Sequence, residues 1–390
     1  MRVILGVEAL APDLSGIGRY TWELCKGLKS CPEIDELHYY RARQWISDPA
    51  RLLEADAPSS PRRRGRLMRW WHGRQHGRRL RDSLFHGPNF FLPPEVEGGI
   101  VTVHDLSVFR FPETHPAARI AQFEREFASS MARVAHVITD SETVRAELMA
   151  FAGLPEDRVT AVPLGVADAF HPRTSGDLAP LLARFGLMPD AYALCVSTLE
   201  PRKKIGRLLE AWGALPVGLR SRWPLILAGG SGWLNGALRD VIAIGEREGW
   251  VRYLGYVPED MLPALYAGAR LFIYPSTYEG FGLPPVEAMA SGVPALVASA
   301  SCLPEVTQGA AMLVEPDDIA GFMVAIEQGL IDEAWRKGAI IRGLAVARTY
   351  DWAHCVAGTV AVYRRLAGRA AIQDRGIEIH GRSSGARMAS

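Results

Sequence analysis

Short apolar runs alternate with stretches of helical periodicity along nearly the whole chain. Val3–Val7 is strand-like, and residues 17–30 follow with Ile17, Tyr20, Leu24 and Leu28 at helical spacing. Ile100–Val103 predicts another strand, ending at His104-Asp105. Residues 117–134 predict a helix, Val137–Thr139 a strand, and Ser141-Glu142 the start of a further helix. This β-α-β-α order predicts a parallel sheet covered on both faces. The pattern breaks over Val162–Pro172, at Pro163-Leu164-Gly165-Val166 and His171-Pro172, and a second alternating series then begins. Tyr192–Ser197 predicts a strand, Ile205–Trp212 a helix, and Pro224–Ala228 a strand ending in Gly229-Gly230. Further strands are predicted at Val251–Leu254, Leu271–Tyr274, Ala295–Val297 and Met312–Val314. Residues 318–368 are mostly helical in pattern, and from about 370 the chain turns polar.

The pattern predicts an α/β protein of two Rossmann-like, doubly wound domains, residues 1–172 and 173–350, facing across a cleft. A helix near 350–368 is expected to pack back on the first domain, with residues 370–390 as a disordered tail. Ligand is expected in the cleft.

Composition narrows the class. With 48% hydrophobic and 22% charged residues, the chain has the profile of a soluble globular protein. No apolar run reaches the roughly 18 residues of a spanning helix. The opening Met-Arg-Val-Ile-Leu-Gly-Val-Glu reads as a first buried strand rather than a leader. Cysteines 25, 31, 195, 302 and 355 lack metal-site spacing and fit reduced thiols, so a cytoplasmic location is expected. A net charge of +1 carries no global message, but only five of the 44 basic residues are lysine. Lys203-Lys204 therefore stands out, because lysine presents a compact charge to phosphate.

Four segments fall at predicted strand-to-helix turns, where doubly wound sheets present ligands. Ser15-Gly16-Ile17-Gly18 has a G-x-G without the third glycine of a dinucleotide fingerprint. His104 ends a buried strand and can reach the sheet's carboxyl edge; Asp105 beside it points to the opposite face, so the two are not read as a dyad. Ser197-Thr-Leu-Glu-Pro-Arg202-Lys203-Lys204 places positive charge at a helix start, a conflict that an anionic ligand would resolve. Glu279-Gly-Phe-Gly-Leu-Pro-Pro-Val-Glu287 sets one carboxylate on a glycine-rich turn and a second in the first turn of the following helix. Carboxylates that accept from sugar hydroxyls, beside N–H groups facing a phosphate, make a nucleotide-sugar site.

The last of these segments, continued by Ala288-Met-Ala-Ser-Gly-Val-Pro294, resembles the E-x7-E signature of family 4 retaining glycosyltransferases, which have the GT-B fold. Thr198-Leu-Glu-Pro-Arg-Lys203, Gly255-Tyr-Val-Pro258 and His104-Asp105 resemble the same family, so the likeness spans residues 1 to about 365. The resemblance implies a donor site in which Glu279, with the backbone of Gly280, Phe281, Gly282 and Leu283, holds the sugar. Glu287 would accept from the ribose hydroxyls, and Arg202 and Lys203 would grip the diphosphate. Tyr256 and Val257 would meet the base, and Gly16 and Gly18 would lie by the phosphates or acceptor. His104, Lys203 and Glu279 are the implied catalytic residues. Many family members carry a basic residue where this chain has Ser197 or Thr198, and Arg202 is the candidate replacement.

No Asp-x-Asp occurs, so neither metal nor cofactor is expected, and cationic side chains would neutralise the diphosphate. No residue is an obvious nucleophile for double displacement. The resemblance therefore implies retention by attack on the face the diphosphate leaves. The patterns at 104–113 and 200–203 resemble mannosyl- and rhamnosyltransferase-like members of bacterial polysaccharide synthesis. They favour a GDP-sugar over a UDP-sugar donor, with a lipid-linked or glycan acceptor. A GT-B epimerase or phosphorylase is a second enzyme reading. Residues 62–81 hold nine arginines, no acid, and Trp70-Trp71. Such a stretch suits an anionic membrane surface or the acceptor, and nucleic acid less well. A non-catalytic binding protein using that stretch is the alternative of another class.

Overall fold

A computed structural model describes residues 1–54, 77–232 and 236–383, with side chains through 368. The core of the basic stretch therefore lies outside the described residues.

Among the described residues, two sheets are built. The first has the strand order β3-β2-β1-β4-β5-β6-β7. Its strands are β1 (Arg2–Gly6), β2 (Glu36–Arg41), β3 (Gln44–Ile46), β4 (Leu84–Gly87), β5 (Ile100–Val103), β6 (His136–Thr139) and β7 (Val159–Ala161). All neighbours are parallel except β2 and β3, which form an antiparallel edge hairpin. The second sheet is all parallel, in the order β10-β9-β8-β11-β12-β13. Its strands are β8 (Ala193–Val196), β9 (Leu225–Ala228), β10 (Val251–Tyr253), β11 (Leu271–Tyr274), β12 (Ala295–Ala298) and β13 (Met312–Val314). Central strands such as β5, β6, β9, β11 and β12 are buried at every position, as strands covered on both faces must be.

Order reverses between β1 and β4 in one sheet and between β8 and β11 in the other. Those reversals open crevices at the strands' carboxyl ends, the places where such sheets bind ligands. The four candidate segments follow β1, β5, β8 and β11.

The helices that matter here are set by local chemistry. Helix α1 (Gly16–Lys29) is capped by Ser15, whose Oγ accepts from Gly18 N at 3.1 Å, and it ends on Lys26 and Lys29, favourable at the helix's negative pole. Helix α2 (Ala117–Arg133) covers the first sheet, and α3 (Glu142–Ala152) is capped by Ser141. In the second lobe, α4 (Ile205–Ala214) follows the basic turn, α5 (Leu283–Ala290) follows the glycine-rich turn, and α6 (Leu303–Thr307) follows β12. Helices α7 (Ile319–Ile331) and α8 (Glu333–Ala347) lead to α9 (Trp352–Ser383), which packs against α1. Tyr363 on α9 bonds His86 Nδ1 of β4 at 2.7 Å, and Val166 N donates to Tyr350 O at 3.1 Å. The chain's end thus ties back onto the first lobe.

Three features differ from the sequence expectation. Strands β2, β3 and β4 lie outside the predicted set, because β2 and β3 form a half-exposed edge with polar residues on both faces and β4 is short and ends in His86-Gly87. Strand β7, also outside the predicted set, ends just before the stretch read as a break. Helix α9 runs to Ser383, past 370, because no proline interrupts residues 352–383 and they include many helix formers. No described helix is long and apolar enough to cross a membrane.

Candidate active site between the lobes

A cavity of about 490 Å³ lies between the two lobes. Its first-lobe wall includes Gly16, Ile17, His104, Asp105 and Asp140. Its second-lobe wall includes Lys203, Tyr256, Val257, Tyr274 and the turn Glu279–Leu283.

The turn at 279–282 is fixed from behind. Ser301 Oγ donates to Glu279 O at 2.7 Å, and Cys302 Sγ donates to both Glu279 O and Phe281 O at 3.2 Å. Gly282 sits at φ +91°, a conformation glycine adopts without a Cβ penalty. At Gly280 a Cβ would stand 1.8 Å from His104 O, so only glycine allows the turn to lie against the first lobe. Ser141 Oγ also donates to Gly280 O, at 2.7 Å.

Three polar groups meet in the second-lobe wall. Lys203 Nζ lies 2.5 Å from Glu279 Oε1 and 3.1 Å from Tyr274 OH, while Tyr274 OH donates to the same Oε1 at 2.9 Å. Burial alone would raise the Glu279 carboxyl, but Lys203 and Arg202 overcome it and hold the group at about 2. Glu279 is therefore a permanent carboxylate, 8% exposed. Lys204, its neighbour's twin in sequence, points to solvent and pairs with Asp317 at 2.9 Å. A 3₁₀ turn at Pro201–Lys203, followed by Lys204 at φ +52°, separates the two side chains.

Other predicted residues are placed less directly. Arg202 is not part of the cavity wall; its guanidinium bonds Tyr278 O and lies 3.6 Å from Glu279 Oε2 and 3.7 Å from Glu200. Glu287 is also outside the wall and is the fifth residue of α5, one turn deeper than expected, because the helix starts at Leu283 ahead of the prolines. Burial raises its carboxyl pKa, against the pull of Arg19 across the cleft. Gly16 faces open space in the cavity, whereas Gly18 is kept small by Ala9 O, 2.9 Å from where a Cβ would stand. Tyr256 is half exposed at the rim, and Val257 is buried beside it.

His104 lies in the wall with both ring nitrogens engaged: Nδ1 faces Asp140 Oδ2 at 2.7 Å and Nε2 faces Pro88 O at 2.9 Å. Burial opposes its charge, but Asp140 and the Pro88 carbonyl outweigh it and raise the pKa, so the ring is held between two acceptors. Asp140, not Asp105, is the partner. That residue, Tyr274, Ser301 and Cys302 escaped the sequence reading, because each stands on a different element from the motif it serves. A Tyr ending the strand before Glu279 was the one visible signal. Among the described residues, no group of His, Cys, Asp and Glu is arranged to hold a metal ion.

This pairing of two doubly wound lobes around a cavity lined by a lysine and a carboxylate-bearing glycine turn defines a GT-B glycosyltransferase. Residues 14–170 match the family model described as Glycosyltransferase Family 4, and residues 190–332 match that described as Glycosyl transferases group 1. The chain is 38% identical over 382 residues to the O-antigen chain mannosyltransferase B of Escherichia coli, covering 94% of this chain and all of that one. Among solved structures, WaaG, a glycosyltransferase involved in lipopolysaccharide biosynthesis, superposes with a TM-score of 0.70 at 15% identity, over 92% of this chain and 99% of its own. Anabaena HepE in complex with UDP-glucose gives 0.69 at 17% identity, over 93% of this chain and all of its own. The chain belongs to the family 4, group 1 glycosyltransferases.

Proposed function

We propose that the protein is a retaining mannosyltransferase that moves mannose from a GDP-sugar to a glycan or lipid-linked acceptor in bacterial surface-polysaccharide synthesis. Similarity along the full length of an O-antigen chain mannosyltransferase supports the sugar and the pathway class. The observation that carries the donor site is the Lys203–Glu279 pair in the cavity wall, with one group for a diphosphate and one for sugar hydroxyls.

Residue roles follow from position. Glu279 accepts from donor-sugar hydroxyls, and the backbone of Gly280 to Leu283 lines the same side. Lys203 and the N-termini of α1 and α5 oppose the charge that grows on the departing diphosphate. Glu287 takes the ribose once the lobes adjust, and Tyr256 and Val257 border the base. His104, held in place by Asp140, forms a fixed floor beside the transferred sugar. Glu279 is already held by two cations and a hydroxyl, which makes it a poor nucleophile. Attack by the acceptor on the face the diphosphate leaves, with a phosphate oxygen taking its proton, is the route that uses these groups. The sequence lacks Asp-x-Asp, and metal-independent transfer is part of the proposal. So is residence at the inner membrane face through residues 62–81.

A melting-temperature panel of GDP, UDP, ADP and dTDP, each with and without EDTA, tests the donor. Ligand that binds only the folded state raises the melting point. GDP giving the largest rise, unchanged by EDTA, agrees with the proposal. A larger rise with UDP moves the donor to a UDP-sugar, the nucleotide class HepE holds.

A further inference from the structure

Among the described residues, Lys203 is the only lysine or arginine in the cavity wall, and Glu279 neutralises it at 2.5 Å. A diphosphate cannot reach a free ammonium there. It meets one already paired in a site where each side chain is about one-tenth exposed. Removing one partner of a buried pair normally strands the other charge at a large cost. Glu279 is protected from that. Arg202 stands 3.6 Å from its second oxygen, outside the wall, and Tyr274 OH donates to its first. Lys203 can leave; Arg202 and Tyr274 stay.

We propose that donor recognition is an exchange of ionic partners, in which the diphosphate takes Lys203 from Glu279 while Tyr274 and Arg202 hold the carboxylate for the sugar hydroxyls. This rests on the donor-site reading above. Tyr274 is then a positioning residue acting through Glu279. The exchange has a direct consequence for turnover. A nucleotide sugar replaces both halves of the broken pair, phosphate on Lys203 and hydroxyl on Glu279. The nucleoside diphosphate product replaces only one, so the returning Lys203–Glu279 contact helps to expel it.

Calorimetric titration of GDP and UDP into the wild type and variants tests the exchange. Glu279→Gln frees Lys203 and is expected to tighten the nucleoside diphosphate about tenfold. The same change made on top of Lys203→Ala is expected to give no gain. Tyr274→Phe leaves Glu279 with one fewer donor and is expected to weaken the diphosphate roughly three- to tenfold. An unchanged or weaker affinity in Glu279→Gln overturns the proposal. So does an equal gain in the Lys203→Ala background, since that is plain charge repulsion. In both cases wild-type binding lost in Lys203→Ala keeps the donor site intact. No binding of either diphosphate to any folded variant removes the donor site as well. If Glu279→Gln does not fold, the Tyr274→Phe comparison decides: unchanged affinity there overturns the proposal.

Discussion

At Glu279, burial would raise the carboxyl but Lys203 and Arg202 hold it at about 2, below its ordinary 4.5. A depressed pKa gives stability that is present above the unfolded value and lost as pH falls through the folded one. Glu279 is thus expected to contribute on the order of 3 kcal/mol above pH 5, fading between pH 4.5 and about 2. Melting curves of wild type and Glu279→Gln should converge over that window. Parallel curves would show that the pair is not formed. Glu287 has the opposite bias: burial raises its pKa, so its charge at neutral pH costs folding stability. Glu287→Gln is expected to raise the melting temperature while weakening nucleotide binding roughly ten- to a hundredfold, through lost charged hydrogen bonds to ribose. A variant that is more stable and binds equally well would take Glu287 out of the donor site.

Between elements, the glycine-rich turn is held against the first lobe by contacts that cross the cleft. Glu305 of α6 caps the N-terminus of α3, accepting from Glu142 N at 2.8 Å, Thr143 N at 2.9 Å and Thr143 Oγ1 at 2.6 Å. Tyr278 OH donates to Glu147 on α3 at 2.5 Å and accepts from Leu106 N at 3.1 Å. A carboxylate on a helix N-terminus is worth about 1–2 kcal/mol, so Glu305→Ala should lower kcat/KM about tenfold and the melting temperature by a few degrees. An unchanged kcat/KM would mean the closed arrangement does not need this latch. The repeated strand–helix alternation made most central strands legible, since buried parallel strands are short apolar runs. The edge strands β2 and β3 were not, because half-exposed edges carry no apolar run. The motif glutamates and Lys203 were visible because their spacing is local. Asp140 was not, because its partner His104 lies 36 residues away at the end of another strand, and Tyr274 was not, because only the fold brings Lys203 to it.

For the molecule as a whole, two sheets with their reversals facing each other leave one place where cation, carboxylates and helix N-termini converge. A second cavity, of about 580 Å³, lies between α1 and α9, lined by Gly27, Val356 and Val360 among others. It contains neither the glycine-rich turn nor any of the four candidate segments. Nucleotide is therefore expected between the lobes. Hydrogen exchange of the full chain with and without saturating GDP-mannose tests this most directly. Slowed amides at 15–17, 197–204, 255–257 and 279–287 together are the predicted result. Protection confined to the groove between α1 and α9, or to one lobe alone, would contradict it.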